Sequence, residues 1–293
     1  MDAFLLILVV LGITVQHITK KMHTKRSGGG PYTFSAIGVL AALLFFVATS
    51  GGSLHFNLAI LPHAIGFAAT YSLSIIFTLL SIKEGPLSIT TLITSYSLLI
   101  PTLYGLIAWN EPFSFLLLSG ILLLVVSIFL IRFEGISAKN ENAGKEGGRL
   151  TGKWLLFISL AFIGSGGCST VQKGQQLYFN GAYKNEFMIL ALSISFLAFL
   201  ICALVTEERK SLVQNIRCGG IFAAVGGLAN GAVNLILLIL STKMDASVMF
   251  PIISTGGILC ATAISVTIYK EKLSLLQKIG VILGVMAIVV LNI

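Results

Sequence analysis

Two asparagines four residues apart, Asn230 and Asn234, interrupt an otherwise apolar stretch. Side chains at i and i+4 share one face of a helix. A carboxamide in hydrocarbon is costly unless it is hydrogen-bonded, so the pair must point inward, to partner groups, water or a polar solute. At an offset of 160 residues the same spacing returns as Thr70 and Ser74, with Tyr71 beside them. In the next apolar stretch Thr91, Thr94, Ser95, Tyr96 and Ser97 cluster near mid-depth, and their counterparts at the same offset include Ser254, Thr255, Gly256 and Gly257. Two uses of such groups compete: bonding between packed membrane helices and lining a cavity for a polar solute. The isolated hydroxyls fit the first use better. The paired amides fit the second better, because two of them are hard to satisfy without water or a ligand. The candidate solute-binding set is Thr70, Tyr71, Ser74, Thr94, Ser95, Tyr96, Asn230, Asn234, Ser254 and Thr255.

Glu111 and Glu271 occupy equivalent turns, again 160 residues apart. They read either as gates at two mouths or as carboxylates capping the tight connection between helices. All eleven acidic residues fall at the ends of apolar segments or between them. A proton-driven carrier usually holds a titratable group inside the membrane, so a facilitator or exchanger is expected. Gln16 and Gln172 end two matching Thr-Val-Gln triplets, as vestibule or interfacial side chains. His63 follows Pro62 near a segment end, where an interfacial role suits a lone histidine better than proton carriage. The four cysteines, Cys168, Cys202, Cys218 and Cys260, lack CxxC spacing and read as small buried hydrophobes. No HExxH, GxSxG or P-loop is present. No catalytic residue, cofactor or metal site is expected.

The elements that must position these groups follow from composition. Of 293 residues, 56% are hydrophobic and only 10% charged, with a mean hydropathy of +0.97. Too few polar residues remain to coat a soluble domain, and the chain is far too apolar for disorder. Ten continuously apolar segments lie near residues 3–18, 32–50, 56–81, 86–109, 114–131, 154–171, 186–205, 219–241, 246–269 and 274–293. About 20 apolar residues span a bilayer as a helix, whereas barrel strands would alternate in polarity. The net charge of +8 reads as loop asymmetry rather than a nucleic-acid surface. With the N-terminus outside, 16 Lys and Arg fall on inner loops and 3, Lys173, Lys184 and Lys243, on outer loops.

Sliding the chain by 160 residues lays 81–131 on 241–291 without a gap, with 12 of 51 positions identical. Two five-helix halves with an odd helix count must enter the membrane in opposite orientations, the architecture of many secondary transporters with a midplane site. The fold expected is an all-α membrane protein of ten transmembrane helices in two inverted five-helix repeats, 1–132 and 154–293, joined by a flexible cytoplasmic linker, 133–153.

Pro86 opening the fourth helix, Pro101 within it, Asn110-Glu111-Pro112, Gly120, Tyr269-Lys270-Glu271-Lys272 and Gly280 together resemble the drug/metabolite transporter superfamily, EamA type, over the whole chain. The resemblance implies a carrier of small organic solutes such as drugs, amino acids, nucleotide sugars or other metabolites. Small multidrug-resistance proteins of that superfamily use a carboxylate in the first helix, which has none here. Many relatives place both termini in the cytoplasm, whereas the charge count here puts them outside.

The reading is therefore a multi-pass protein of a bacterial cell membrane that moves a neutral or amphipathic solute by alternating access, by export or exchange. Its partners are that solute and the bilayer, not nucleic acid, and it is a monomer or a weak homodimer; Gly227-xxx-Gly231 and Gly280-xxx-Gly284 permit close helix approach, read first as packing within the chain, with a dimer through the last helix as the alternative. The rivals are a nucleotide-sugar or phosphorylated-metabolite exchanger, which would want a cation in the cavity, and a non-transporting scaffold. Cysteine labelling near His55, Asn110, Lys243 and the C-terminus should report the outer side. A cytoplasmic C-terminus would overturn the topology and move 133–153 outside.

Overall fold

A computed structural model describes residues 2–27, 30–52, 54–84, 90, 93–142, 151–206, 208–267 and 274–291, with backbone only at 21, 24–27, 83, 132–142, 261 and 264–267. Glu271, Pro86 and Thr91 lie outside the described residues. The helices are α1 Asp2–Ser27, α2 Pro31–Thr49, α3 Leu61–Glu84, α4 Leu99–Ala108, α5 Phe115–Asn142, α6 Gly152–Tyr178, α7 Lys184–Val205, α8 Glu208–Ser241, α9 Ala246–Thr267 and α10 Leu275–Leu291. A 3-10 turn, Leu58–Ile60, precedes α3, and another, Tyr96–Leu98, leads into α4. No strand occurs among the described residues.

Six helices are long and apolar enough to cross a membrane, and four more apolar helical stretches are shorter: Ile93–Ala108, Phe115–Ile131, Ala246–Cys260 and Leu275–Leu291. Large apolar side chains stand outward along them, with Phe115 85% and Ile107 77% exposed. Water would not tolerate such a surface, but hydrocarbon does. The chain is an all-α membrane protein.

Several helices outrun their apolar segments. α1 continues to Ser27, α5 to Asn142, ten residues into the stretch read as a flexible linker, and α6 to Tyr178; α8 starts at Glu208. Backbone bonding inside a helix needs no apolar side chain, so the end of hydrophobicity does not end the helix. Backbone geometry does. After α6 the chain turns through Asn180, Gly181 and Tyr183 at φ of 50°, 79° and 59°. The Gly181 N–H donates to the Gln176 carbonyl at 2.8 Å, closing the helix in the manner of a left-handed cap.

The chain forms two compact units, and neither is a sequence half. The first takes Met1–Ser72 and Val171–Lys243; the second takes Leu73–Thr170 and Met244–Ile293. In the first unit α8 packs on α1, α2 and α7, and α2 also packs on α7; in the second α10 packs on α5, and α9 on α4, α5 and α10. Glycines set these approaches. A Cβ on Gly227 would strike the Gly38 carbonyl of α2, and one on Gly231 would meet the Phe45 ring at 2.8 Å. Gly280 faces Ile131, and a Cβ on Gly284 would stand 2.7 Å from the Ser127 hydroxyl, which donates to the Gly280 carbonyl at 2.7 Å. The GxxxG pair of α10 is thus engaged within its own unit.

Replacing Gly227 with Leu should cost about 1–3 kcal/mol by overpacking, read as a lower Tm of the purified protein. Gly152→Ala, where an added Cβ meets nothing within 4 Å, should change stability by less than about 0.5 kcal/mol.

Candidate functional site

Within the first unit, four carboxamides from three helices form a chain. Gln172 on α6 donates from Nε2 to Oδ1 of Asn234 at 3.2 Å and to its carbonyl at 3.3 Å. Asn234 donates from Nδ2 to Oδ1 of Asn230 and to its carbonyl, both at 2.9 Å. Asn230 donates from Nδ2 to Oε1 of Gln16 on α1 at 3.0 Å. Every link runs in the same sense, so the chain ends on the Gln16 amide NH2 as donor and the Gln172 Oε1 as acceptor. Gln172 and Asn234 are buried, and Asn230 is half-buried.

The two glutamines are the matching Thr-Val-Gln positions. The sequence reading set them at helix ends. They lie well inside their helices, because α1 and α6 continue for about three and two turns beyond them. The asparagines, expected to point inward and read as lining a cavity, bond to these glutamines.

The remaining candidates divide between the units. In the first, the Thr70 hydroxyl donates back to the Gly66 and Phe67 carbonyls at 2.8 and 3.1 Å. Tyr71 stacks on Phe67, 5.6 Å between centroids and 13° between planes, and meets Phe199 edge-on at 6.2 Å. In the second unit, the Tyr96 hydroxyl donates to the Val125 carbonyl of α5 at 2.9 Å. Thr94 donates to Thr90 O at 3.0 Å and Thr255 to Pro251 O at 2.9 Å. Ser74, Ser95 and Ser254 are half-buried in that unit. Thr70, Thr94 and Thr255 therefore turn their hydroxyls into their own helices, and Tyr96 ties α5 to its turn. The structure brings together Asn230 and Asn234, adding Gln16 and Gln172, which were outside the candidate set.

Three further groups were missed. Lys173, read as an outer-loop cation, lies inside α6 and is 2% exposed. Its neighbours Gln175 and Gln176 are fully buried. The available signal was the absence of any turn residue pair between Val171 and Asn180-Gly181, which lets the helix run on. A neutral solute was preferred because no mid-helix cation was visible; Lys173 is a buried cation near the end of α6.

The carboxylates cap distant helices. Glu111 accepts the backbone N–H groups of Ala246 and Ser247, the start of α9, at 2.6 and 2.8 Å. Its role is therefore not confined to its own connection, although its backbone N–H also closes on the Gly105 carbonyl at 3.1 Å. Glu208 does the same for α2, accepting from the Tyr32 and Thr33 N–H groups at 3.0 and 2.8 Å and from the Thr33 hydroxyl at 2.8 Å. Glu186 accepts from the His55 N–H at 2.9 Å. A carboxylate on the first N–H groups of a helix satisfies orphan donors and meets the positive end of the dipole. Among the described residues no group of three His, Cys, Asp or Glu gathers as a metal site, and the four cysteines are free thiols.

No family model matches the chain, and no curated protein matches it. Among solved structures, the crystal structure of one protein resembles it with a TM-score of 0.77 over 99% of this chain and 95% of that one, at 13% identity. At that identity the likeness carries the fold alone.

Removing either cap should be felt globally. Glu111→Ala and Glu208→Ala are each expected to lower stability by about 2 kcal/mol, the range for charge-assisted bonds. Thermal melts of the purified variants measure it, and a Tm equal to wild type for either would remove that cap from the account.

Proposed function

We propose that the protein is a secondary transporter of a small organic solute, and that the carboxamide chain of Gln16, Asn230, Asn234 and Gln172 is part of its solute-binding site. The observation that carries this reading is the chain itself. Four amides are set inside a membrane-helix unit and end in an unused donor and an unused acceptor. Packing alone would be served by Ser, Thr or Gly, whose bonds across membrane helices are common and modest. A run of amides offers a polar solute bonds that replace water without leaving the protein's own groups bare when the solute departs.

The repeat of 81–131 in 241–291 supports ten transmembrane helices in two inverted five-helix halves. With the resemblance to EamA-type carriers it supports alternating access. A bacterial cell membrane and export or exchange complete the reading. No chemistry on the solute is required, so the protein is read as a carrier, not an enzyme. The carboxylates at helix ends serve as caps, which favours movement down solute gradients over proton coupling.

The test is counterflow in proteoliposomes, using a solute selected by thermal stabilisation of the purified protein. Asn230→Ala should fold and slow counterflow about tenfold, equivalent to one hydrogen bond of roughly 1.4 kcal/mol. Gln16→Leu should have a similar effect, and the double variant should be no worse than either alone, because both break the same link. Unchanged counterflow in Asn230→Ala would remove the amide chain from the site. A protein that moves none of the solutes stabilising it would overturn the transport reading.

A further inference from the structure

Basic residues gather at one end of the first unit. The last turns of α1 carry Lys20, Lys21, Lys25 and Arg26, and the first turns of α8 carry Arg209, Lys210 and Arg217. The two ends lie together. α1 packs on α8, a Cβ on Gly219 would strike the His23 ring, and one on Gly30 would strike the Asn215 amide. Between 18 and 33 and between 204 and 220 the acids are Glu207 and Glu208. The Glu208 carboxylate is bonded to the Tyr32 and Thr33 N–H groups of α2.

Arg209 and Arg217 are exposed, and among the described residues neither guanidinium has a hydrogen-bond or ion-pair partner. Lys210 is exposed too and engages another group of the chain. At 100° per residue Ile216, Arg209, Val213, Arg217 and Lys210 fall within about 120° of the circumference of α8. Val213 is 65% exposed and Ile216 45%, so this face interleaves guanidinium groups with bare apolar side chains. Further along the helix it becomes wholly apolar. Ile221, Val225 and Leu228 follow Arg217 at helical spacing and are 69%, 45% and 48% exposed, forming one strip. From Arg217 to Leu228 the strip runs about 16 Å at 1.5 Å per residue, close to half of the ~30 Å hydrocarbon core. Charge followed by apolar surface one leaflet deep is the outline of a phospholipid. A water-soluble polyanion has no use for the apolar part.

We propose that this face of α8 holds an anionic glycerophospholipid of the surrounding bilayer, with its phosphate on Arg217 and an acyl chain along Ile221, Val225 and Leu228. Arg217 takes the phosphate because it stands just before the apolar run that begins at Gly219, the depth at which headgroups begin. A planar guanidinium matches two phosphate oxygens. Arg209 lies about 12 Å further out along the axis and, with the basic end of α1, adds to the attraction. A zwitterionic lipid offers the same phosphate but cancels its charge with its own ammonium, so the field at this end selects net-anionic headgroups. The inference stands apart from the transport reading, since it needs only that the chain is a membrane protein.

Native mass spectrometry of the full-length protein, titrated in detergent with phosphatidylglycerol or with phosphatidylcholine of the same acyl chains, tests it. Phosphatidylglycerol should bind about fivefold more tightly, the effect of one basic residue at an anionic surface, and high salt should shrink the preference. Arg217→Gln should bring the two lipids to about parity with phosphatidylcholine unchanged, and Arg209→Gln should lower the preference less. Lys243→Gln, past the other end of α8, should keep the wild-type preference. All three positions are exposed, so each variant should melt as the wild type does. Glycerol 3-phosphate and a polyglutamate peptide should not displace the lipid at equal concentration. Equal binding of the two lipids by the wild type, or a preference that survives Arg209→Gln combined with Arg217→Gln, would overturn the assignment. So would displacement by glycerol 3-phosphate, which makes this a site for soluble phosphate, or by polyglutamate, which makes it a docking surface for an acidic protein.

Discussion

Hydrocarbon supplies no hydrogen bonds, and the rest of this structure answers to that constraint. Each backbone amide of a spanning helix bonds within its helix, and the polar side chains carried into the interior must find one another. The carboxamide chain is the clearest consequence. Gln172 donates to Asn234, Asn234 to Asn230 and Asn230 to Gln16 at 2.9–3.2 Å, and three helices are held in register by it. Hydroxyls solve the same problem more cheaply. Thr14, Thr70, Thr102, Thr255 and Thr262 all donate to carbonyls of their own helices, which satisfies the hydroxyl proton within the helix itself.

The same constraint acts at helix ends, where the first N–H groups have no intrahelical acceptor. Local caps are scarce at α2 and α9. Instead Glu208 and Glu111 cross to them from positions 175 and 135 residues away in sequence. A capping side chain that belongs to another helix does two things at once: it satisfies donors and fixes where the capped helix begins relative to its neighbour. The glycines complement this from the middle of the helices. Gly227 against Gly38, and Gly280 against Ile131, bring backbones close enough for dispersion forces to act along the whole contact.

One polar stretch of α6 departs from the rule. Gln175 bonds within the protein, whereas Gln176 keeps an acceptor without a hydrogen-bond partner at zero exposure. Strained or unsatisfied groups concentrate at functional sites.

Composition and periodicity alone determined the class of the protein. Charge at 10% and continuous apolar runs leave only a helical membrane protein, since a lipid-facing backbone has no other way to bond. The inward placement of Asn230 and Asn234 was legible too, because an amide pair at i and i+4 has no stable place facing lipid. Which groups would meet them was not. Gln16 lies 214 residues from Asn230 in sequence, and nothing local marks that distance. Helix ends were misjudged at α1, α5, α6 and α8, because hydrophobicity records where lipid stops while the helix continues until a residue such as Asn180 or Gly181 takes a positive φ. That error turned Lys173 from a buried cation into a loop residue. Tertiary packing alone decided the compact units, each of which joins two stretches far apart in sequence. It also decided that Glu111 serves α9. Both depend on long-range approach, governed by the fit of glycine, aromatic ring and carboxylate between elements that sequence order does not bring together.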